Sequence, residues 1–266
     1  MTGKPPTGVP GAQTLERGLD LIERVVNEPM ALRELAASAG LEINTTRRLA
    51  GSLVGYGFLT LGPDKLYRSG AKLLELGARA RDQHDIVVIA RPYLAQLSAA
   101  TGAPSFLGER DGDYSVHLHR AAGWQRVAVS TAVGTRRKLP ETSLGKALLL
   151  DDAESEWDRL FANVSPEFCP EGWKEAMRHA RAVNFVVHDA PSPDRIRAMA
   201  SAVRDASGKI VAAISFVSPL QYADDAEVER IAPLVRATAL GISEVLGYSG
   251  PRPVIQRRSR TAAFSS

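Results

Sequence analysis

A short run of polar and basic residues near the amino terminus has the chemistry needed to contact DNA. Asn44-Thr45-Thr46-Arg47-Arg48 combines an amide, two hydroxyls and two guanidinium groups. A guanidinium group can donate two hydrogen bonds to guanine or clamp a phosphate. Asn44 is also suited to cap a helix, because its short side chain accepts hydrogen bonds from free backbone N–H groups. We predict that all five residues contact DNA, with packing inside the protein as the alternative role of Thr46.

The elements around this run predict a helix-turn-helix. Apolar residues at three- and four-residue spacing from Leu15 to Val26 predict a first helix, which Pro29 ends. A short second helix follows around Leu35, and Gly40 suits the left-handed turn between two helices. A third helix is predicted over residues 44–56, so that the polar run lies at its start, the end that enters the major groove.

A hairpin is predicted directly after the third helix. Two strand-like runs, residues 58–61 and 66–68, are joined by the turn-forming residues 62–65. Three helices followed by a hairpin is the order of a winged helix-turn-helix. Lys65 and Arg68, in the wing of this unit, are predicted phosphate contacts.

The rest of the chain predicts an α+β domain that follows a linker helix at residues 71–84. Alternating runs predict strands at residues 105–109, 115–119, 127–131, 185–188, 199–205 and 210–217. Helical spacing predicts helices at residues 85–100, 143–150, 154–161, 171–181 and 226–246. The domains expected are therefore a winged helix-turn-helix over 13–70, the linker, and a second domain over 85–248. Residues 1–12 predict a disordered lead and residues 249–266 a basic disordered tail.

Composition permits a DNA partner without requiring one. The chain has 266 residues, a net charge of +3, 44% hydrophobic residues and 24% charged residues, as in ordinary globular proteins. The single cysteine, Cys169, cannot form an internal disulfide or a cysteine-based metal site. No signal-peptide pattern or membrane-length apolar run is found, which predicts a cytoplasmic protein without a membrane partner.

Two other function classes were weighed against DNA binding. Ser215, His117, His119, His188 and Asp189 are residue types of a hydrolase, but no Gly-x-Ser-x-Gly elbow surrounds any serine. His117 and His119 are expected on one face of a strand, without a third metal ligand at a suitable spacing. We therefore expect no enzymatic activity, no metal and no cofactor. The other alternative, a protein-interaction module, is disfavoured by the basic third helix.

The ordered set of sequence pieces resembles the IclR family of bacterial transcriptional regulators. The resemblance extends from about Thr14 to Gly247 and depends on order and spacing, since no single piece is specific. The pieces are Leu15-Glu16-Arg17-Gly18-Leu19, residues 36–48, 57–59 and 67–77, Gly134-Thr135-Arg136, Thr142-Ser143-Leu144-Gly145-Lys146-Ala147, Val203-Arg204-Asp205, residues 212–215 and residues 242–248.

The resemblance implies a GAF-like effector-binding domain, a homodimer or homotetramer, and a palindromic DNA operator. It also implies an effector pocket between the sheet of the second domain and the segment 139–146. The family positions carried onto this chain are Leu139, Ser143, Leu144, His188, Ala198, Ser215 and Val217.

This set departs from the family's small-carboxylate pattern. His188 stands where an acidic residue is common, Ala198 replaces a common Cys, and Val217 replaces a hydroxyl side chain. A few polar groups in an apolar pocket suit a ligand with one polar head. The resemblance, with these departures from it, therefore implies a ligand-responsive repressor of a catabolic or metabolic operon, whose effector is a small organic acid with an aromatic or similarly large apolar part.

Overall fold

The computed structural model describes residues 12–83, 85–126, 129–190 and 195–250. The chain forms two compact units that divide between residues 84 and 85. The predicted disordered lead, apart from Ala12, and nearly all of the predicted basic tail lie outside the described residues. Each unit is considered separately below.

The described residues of the first unit form four helices and a small antiparallel sheet. Its helices are α1 (Gln13–Asn27), α2 (Leu32–Ala39), α3 (Ile43–Gly55) and α4 (Ala71–Gln83). Its strands are β1 (Met30–Ala31), β2 (Leu59–Leu61) and β3 (Leu66–Ser69), in the order β1-β3-β2. The two strands β2 and β3 are the predicted wing, while β1 extends the sheet by a strand that the sequence pattern did not predict.

Helices α1, α2 and α3 and the small sheet of the first unit pack around one apolar core. Leu21 and Val25 of α1 are buried with Leu35 of α2, Ala50 of α3 and Leu59 of β2. The turn between α2 and α3 depends on Gly40, whose φ of 65° is the left-handed conformation that glycine adopts without steric cost. The core therefore fixes which face of α3 points outward.

The second unit is a six-stranded antiparallel sheet with helices on both faces. The strands are β4 (Ser105–Asp111), β5 (Tyr114–Ala121), β6 (Arg136–Lys138), β7 (Val186–Asp189), β8 (Ile196–Arg204) and β9 (Ile210–Pro219), in the order β6-β5-β4-β9-β8-β7. The helices are α5 (Ile86–Thr101), α6 (Ser143–Leu148), α7 (Glu154–Phe161), α8 (Trp173–Val183) and α9 (Asp225–Val245). None of the described helices of either unit is long and apolar enough to cross a membrane.

Alternation along the strands sends neighbouring side chains to opposite faces of this sheet. Met199 and Phe216 are buried against apolar residues of α5 and α9. Ala200, one position after Met199, and Ala213, three positions before Phe216, are buried on the other face against α6, α7 and α8. The face toward α6 is the one that carries the predicted effector residues.

Two details of the predicted sheet are wrong. Residues 129–131 form no strand, and Val127 and Ala128 lie outside the described residues. The edge strand is instead β6, because its backbone pairs with Tyr114–Val116 of β5. The second error concerns His117 and His119, which were expected on one face of a strand. An irregularity in the β4–β5 register separates their side chains. His117 contacts the Phe106 ring, whereas burial, and then the charge of Arg91 on α5, lower the pKa of His119.

Candidate DNA-contact surface and effector site

The outward face of α3 is polar and basic. Asn44, Arg47 and Arg48 are exposed and lie three and four positions apart, so they share one side of the helix. Among the described residues, no carboxylate forms an ion pair with Arg47 or Arg48. Both guanidinium groups are therefore available to donate hydrogen bonds to a base or a phosphate.

The start of α3 requires two corrections to the predicted site. Thr46 is fully buried, and its Oγ1 donates a hydrogen bond to the Glu42 carbonyl oxygen at 3.0 Å, so its prediction as a DNA contact is wrong. The helix begins at Ile43 after Glu42, which places Asn44 inside the first turn rather than at the cap. The helical period explains the burial of Thr46: it lies four positions before Ala50 and therefore faces the same core.

The two basic residues of the wing differ in their pairing: in the described part of the chain Arg68 is paired with Asp64, and no ion pair includes Lys65. Lys65 is exposed at the hairpin turn, where its φ of 62° is left-handed. Nη1 of Arg68 donates a hydrogen bond to Oδ1 of Asp64 at 2.8 Å, and this bond holds the pKa of the Asp64 carboxyl well below its usual value. Asp64 already neutralises part of the Arg68 charge, so Lys65 is the better placed of the two predicted phosphate contacts.

In the second unit, the structure brings the predicted effector residues to one face of the sheet. His188, Ala198 and Val217 are register neighbours on β7, β8 and β9, and Ser215 lies two positions before Val217. The remaining three cover the same face from the segment that leads into α6: Leu139, Ser143 and Leu144, all buried. This is the predicted face of the sheet, and six of the seven residues are buried there, with Val217 half-buried.

The position of α6 over the sheet depends on its first turn. The Thr142 hydroxyl accepts a hydrogen bond from the Gly145 backbone N–H at 2.9 Å, which caps the helix. A methyl group at Gly145 would overlap the backbone of Leu139, 2.6 Å from its Cα. Glycine is needed here for close packing, which accounts for the glycine of the Ser143–Lys146 run.

A cavity of about 610 Å³ lies next to β7, beside the predicted residues. Of the seven predicted effector residues, only His188 lines it. The cavity walls that sequence reasoning missed come from α6, the end of α7, the 3₁₀ turn Pro166–Phe168 and α8, and include Lys146, Phe161, Phe168 and Trp173. The sequence signal that could have indicated Lys146 was a single charged residue within the run 143–150. The structure buries all the other residues of that run.

Lys146 and His188 form a polar contact at the wall of this cavity. The Lys146 Nζ lies 3.1 Å from Nδ1 of His188. Burial lowers the pKa of Lys146 to about 8. Burial, and then the Lys146 charge, lower the pKa of His188 to about 3. At neutral pH the imidazole is therefore neutral and accepts a hydrogen bond from the ammonium group.

Comparison with known proteins decides the family. Residues 14–63 match the family model of the IclR helix-turn-helix domain. Residues 78–244 match the family model of the bacterial transcriptional regulator IclR C-terminal domain. The chain belongs to the IclR family. The resemblance found in the sequence is thereby confirmed, as is an N-terminal helix-turn-helix domain followed by an effector-binding domain of mixed helix and sheet.

Relatives of this IclR regulator match along almost their whole length. The HTH-type transcriptional regulator XynR of Escherichia coli K12 is 25% identical over 250 residues, which cover 90% of this chain and 99% of XynR. The HTH-type transcriptional repressor AllR of the same strain is 26% identical over 255 residues, or 91% and 93% of the two chains. The crystal structure of a putative IclR regulator from Silicibacter sp. TM1040 has a TM-score of 0.76 at 20% identity and covers 90% of this chain and 97% of its own.

The family assigns a ligand-responsive, DNA-binding transcriptional regulator, and it does not favour the hydrolase and protein-interaction alternatives. None of the hydrogen bonds among the described residues joins a serine hydroxyl to a histidine ring. The hydroxyl–imidazole pair that a serine hydrolase uses is not among those contacts.

Proposed function

We propose that this IclR regulator is a cytoplasmic repressor of a catabolic or metabolic operon, which binds a palindromic operator as a homodimer or homotetramer. The observation that carries the proposal is the outward face of α3, on which Asn44, Arg47 and Arg48 are exposed without acidic partners in the described structure. Two copies related by two-fold symmetry would place two such helices in successive major grooves, so the operator would have the same symmetry. AllR is a transcriptional repressor, and repression by this chain is part of the proposal.

We further propose that the effector is a small organic acid bound on the α6 face of the second unit. Support comes from the few polar groups that this apolar face holds, which include the Ser143 and Ser215 hydroxyls and the His188–Lys146 pair. An apolar site with a few convergent polar groups favours a ligand that has one polar end. Acid binding would then change the affinity of the regulator for its operator by linkage.

In vitro transcription tests the repressor assignment. The template carries a DNA sequence that the protein selects, placed across the promoter, and a matched template carries a scrambled sequence. A decrease in transcript on the first template alone supports repression. An increase would show an activator, and no change on either template would contradict operator-dependent control.

Calorimetric titration with a panel of organic acids tests the effector: the acid proposal fails if none binds more tightly than about 1 mM.

A further inference from the structure

We propose that the cavity beside β7 binds an aromatic carboxylate, with the ring between the aromatic walls and the carboxylate paired to the Lys146 ammonium. The inference rests on the proposed function, since it names the class of acid and the cation that would hold it. It also places the ligand in a cavity that shares only His188 with the predicted effector residues.

Lys146 is a cation that lacks a counter-ion in the described structure. Its polar partner in the described structure is the neutral His188 ring, and its Nζ lies 5.9 Å from the centre of the Phe161 ring. None of the ion pairs among the described residues includes Lys146. An ammonium group has three donors, so two remain for a ligand. A charge held away from water is costly unless it is paired, and a bound carboxylate would supply the missing partner.

The other charged groups near the cavity do not supply the missing counter-ion of Lys146. Asp189 lines the cavity, but its two carboxylate oxygens accept hydrogen bonds from Arg197 at 2.6 and 2.8 Å. Glu167 is exposed at the rim of the cavity. The remaining titratable groups that face Lys146 or the cavity are Cys169, His179 and His188. Lys146 is therefore the basic group best placed for an anion.

The walls of the cavity favour a flat, apolar ligand body. The rings of Phe161 and Trp173 are stacked with centroids 3.9 Å apart, and those of Phe168 and His188 are stacked at 6.4 Å. All four residues line the cavity, together with Met177 and Ala180 of α8. The volume, about 610 Å³, lies in the range of small-molecule sites, and a two- or three-carbon acid would leave most of it unfilled.

The test is calorimetric titration of the full chain with benzoate, phenylacetate, 3-phenylpropanoate and benzamide. We expect at least one of the three carboxylates to bind more tightly than about 1 mM and neutral benzamide to bind at least tenfold more weakly. Lys146→Met should weaken the binding of that carboxylate by about tenfold or more. Lys209→Met, which removes an exposed lysine elsewhere in the same unit, should leave it unchanged.

Three results would overturn the proposal: no carboxylate binding to the wild-type chain, equal binding of benzamide, or equal binding to Lys146→Met. Selection of DNA by the same preparations separates this failure from failure of the proposed function. Recovery of a specific DNA sequence without acid binding would reject the cavity proposal and keep the proposed regulator function. Acid binding that depends on Lys146, without recovery of a specific DNA sequence, would keep the cavity proposal and reject the proposed regulator function. Thermal unfolding of both lysine variants checks that they are folded.

Discussion

The Lys146 ammonium lies 3.1 Å from Nδ1 of His188, although the two residues are 42 positions apart in the sequence. The pair joins the helix that covers the sheet to an edge strand of that sheet. Because the imidazole is neutral, the contact stabilises the position of the ammonium without neutralising its charge. The pair therefore keeps a cation at the cavity wall, and its protonation gives the first prediction.

Carboxylate affinity should fall as the pH rises above about 8. Burial lowers the pKa of Lys146 to about 8, so the ammonium is present below that pH and is lost above it. A carboxylate favours the charged form, hence its dissociation constant should rise by up to about tenfold per pH unit above the pKa. Titration of benzoate or its best-binding analogue across pH 6 to about 9.5 measures this.

Two variants identify the titrating group. Lys146→Met should bind weakly with little pH dependence over this range. Cys169→Ser should keep the wild-type pH response, because burial affects the pKa of Lys146 more than the nearby Cys169 does. A wild-type affinity that stays constant through pH 8 would contradict the role of Lys146, and a response lost in Cys169→Ser would assign it to the thiol.

Arg47→Ala or Arg48→Ala should relax sequence preference. At least one guanidinium on the exposed face of α3 is expected to contact a base, and its loss should cost about 1–3 kcal/mol at one base pair per half-site. A phosphate contact would instead weaken binding to all sequences alike and flatten the salt dependence. Competition binding against single-base operator variants at several salt concentrations separates the two effects.

Arg230→Ala is the charge-matched control for both arginine variants. Arg230 is half exposed on α9 in the second unit and is paired with Glu227. Its removal should leave operator preference unchanged. If Arg47→Ala and Arg48→Ala also kept the wild-type affinity and preference, α3 would not be the DNA-contacting helix.

Thr46→Ala should reduce stability and leave sequence preference intact. The Thr46 side chain is fully buried and its hydroxyl donates to the Glu42 carbonyl, so truncation removes packing and a hydrogen bond. The expected loss is about 1–2 kcal/mol in the free energy of unfolding. Denaturant titration measures it, with the half-buried Thr45→Ala as the control that should cost less. A changed base preference in folded Thr46→Ala would restore Thr46 as a DNA contact.

Gly145→Ala should disturb the second unit and spare the first. The added methyl would overlap the Leu139 backbone, which cannot move as a flexible side chain can. Overpacking of this kind typically costs about 1–3 kcal/mol. We expect a lower unfolding temperature for the second unit and weaker acid binding, while the α3 arginines remain in place. Equal stability and equal acid affinity in Gly145→Ala would contradict the described packing of α6.

The sequence predicts the first unit well because its signals are local. Helical spacing, Gly40 and the hairpin turn specify α1 to α3 and the wing, and each depends on residues close together in the chain. Strand β1 was missed, because two residues, Met30 and Ala31, are too short to show alternation. Thr46 was assigned to the DNA contacts because it lies in a polar run, although its position in the helix also allowed the inward direction that the structure has.

The second unit shows where local patterns are insufficient. Residues 127–131 alternate as strands do, yet the basic residues Arg136–Lys138 form the edge strand, since backbone pairing with β5 selects it. The family resemblance placed His188 and Ala198 on one face, as the register has them. The resemblance did not predict Lys146 as a cavity residue. Phe168 and Trp173, which line the cavity with Lys146, come from segments that only the fold brings together.

The most direct test of the account is selection of DNA from a random pool by the purified full-length protein at near-physiological salt. The account predicts enrichment of a palindrome whose half-sites lie one helical turn, or a multiple of it, apart. It also predicts loss of that enrichment in an Arg47→Ala, Arg48→Ala double variant. Recovery of unselected DNA alone, with a steep salt dependence, or of no DNA with or without an added acid, would contradict the assignment of α3 as an operator-binding helix.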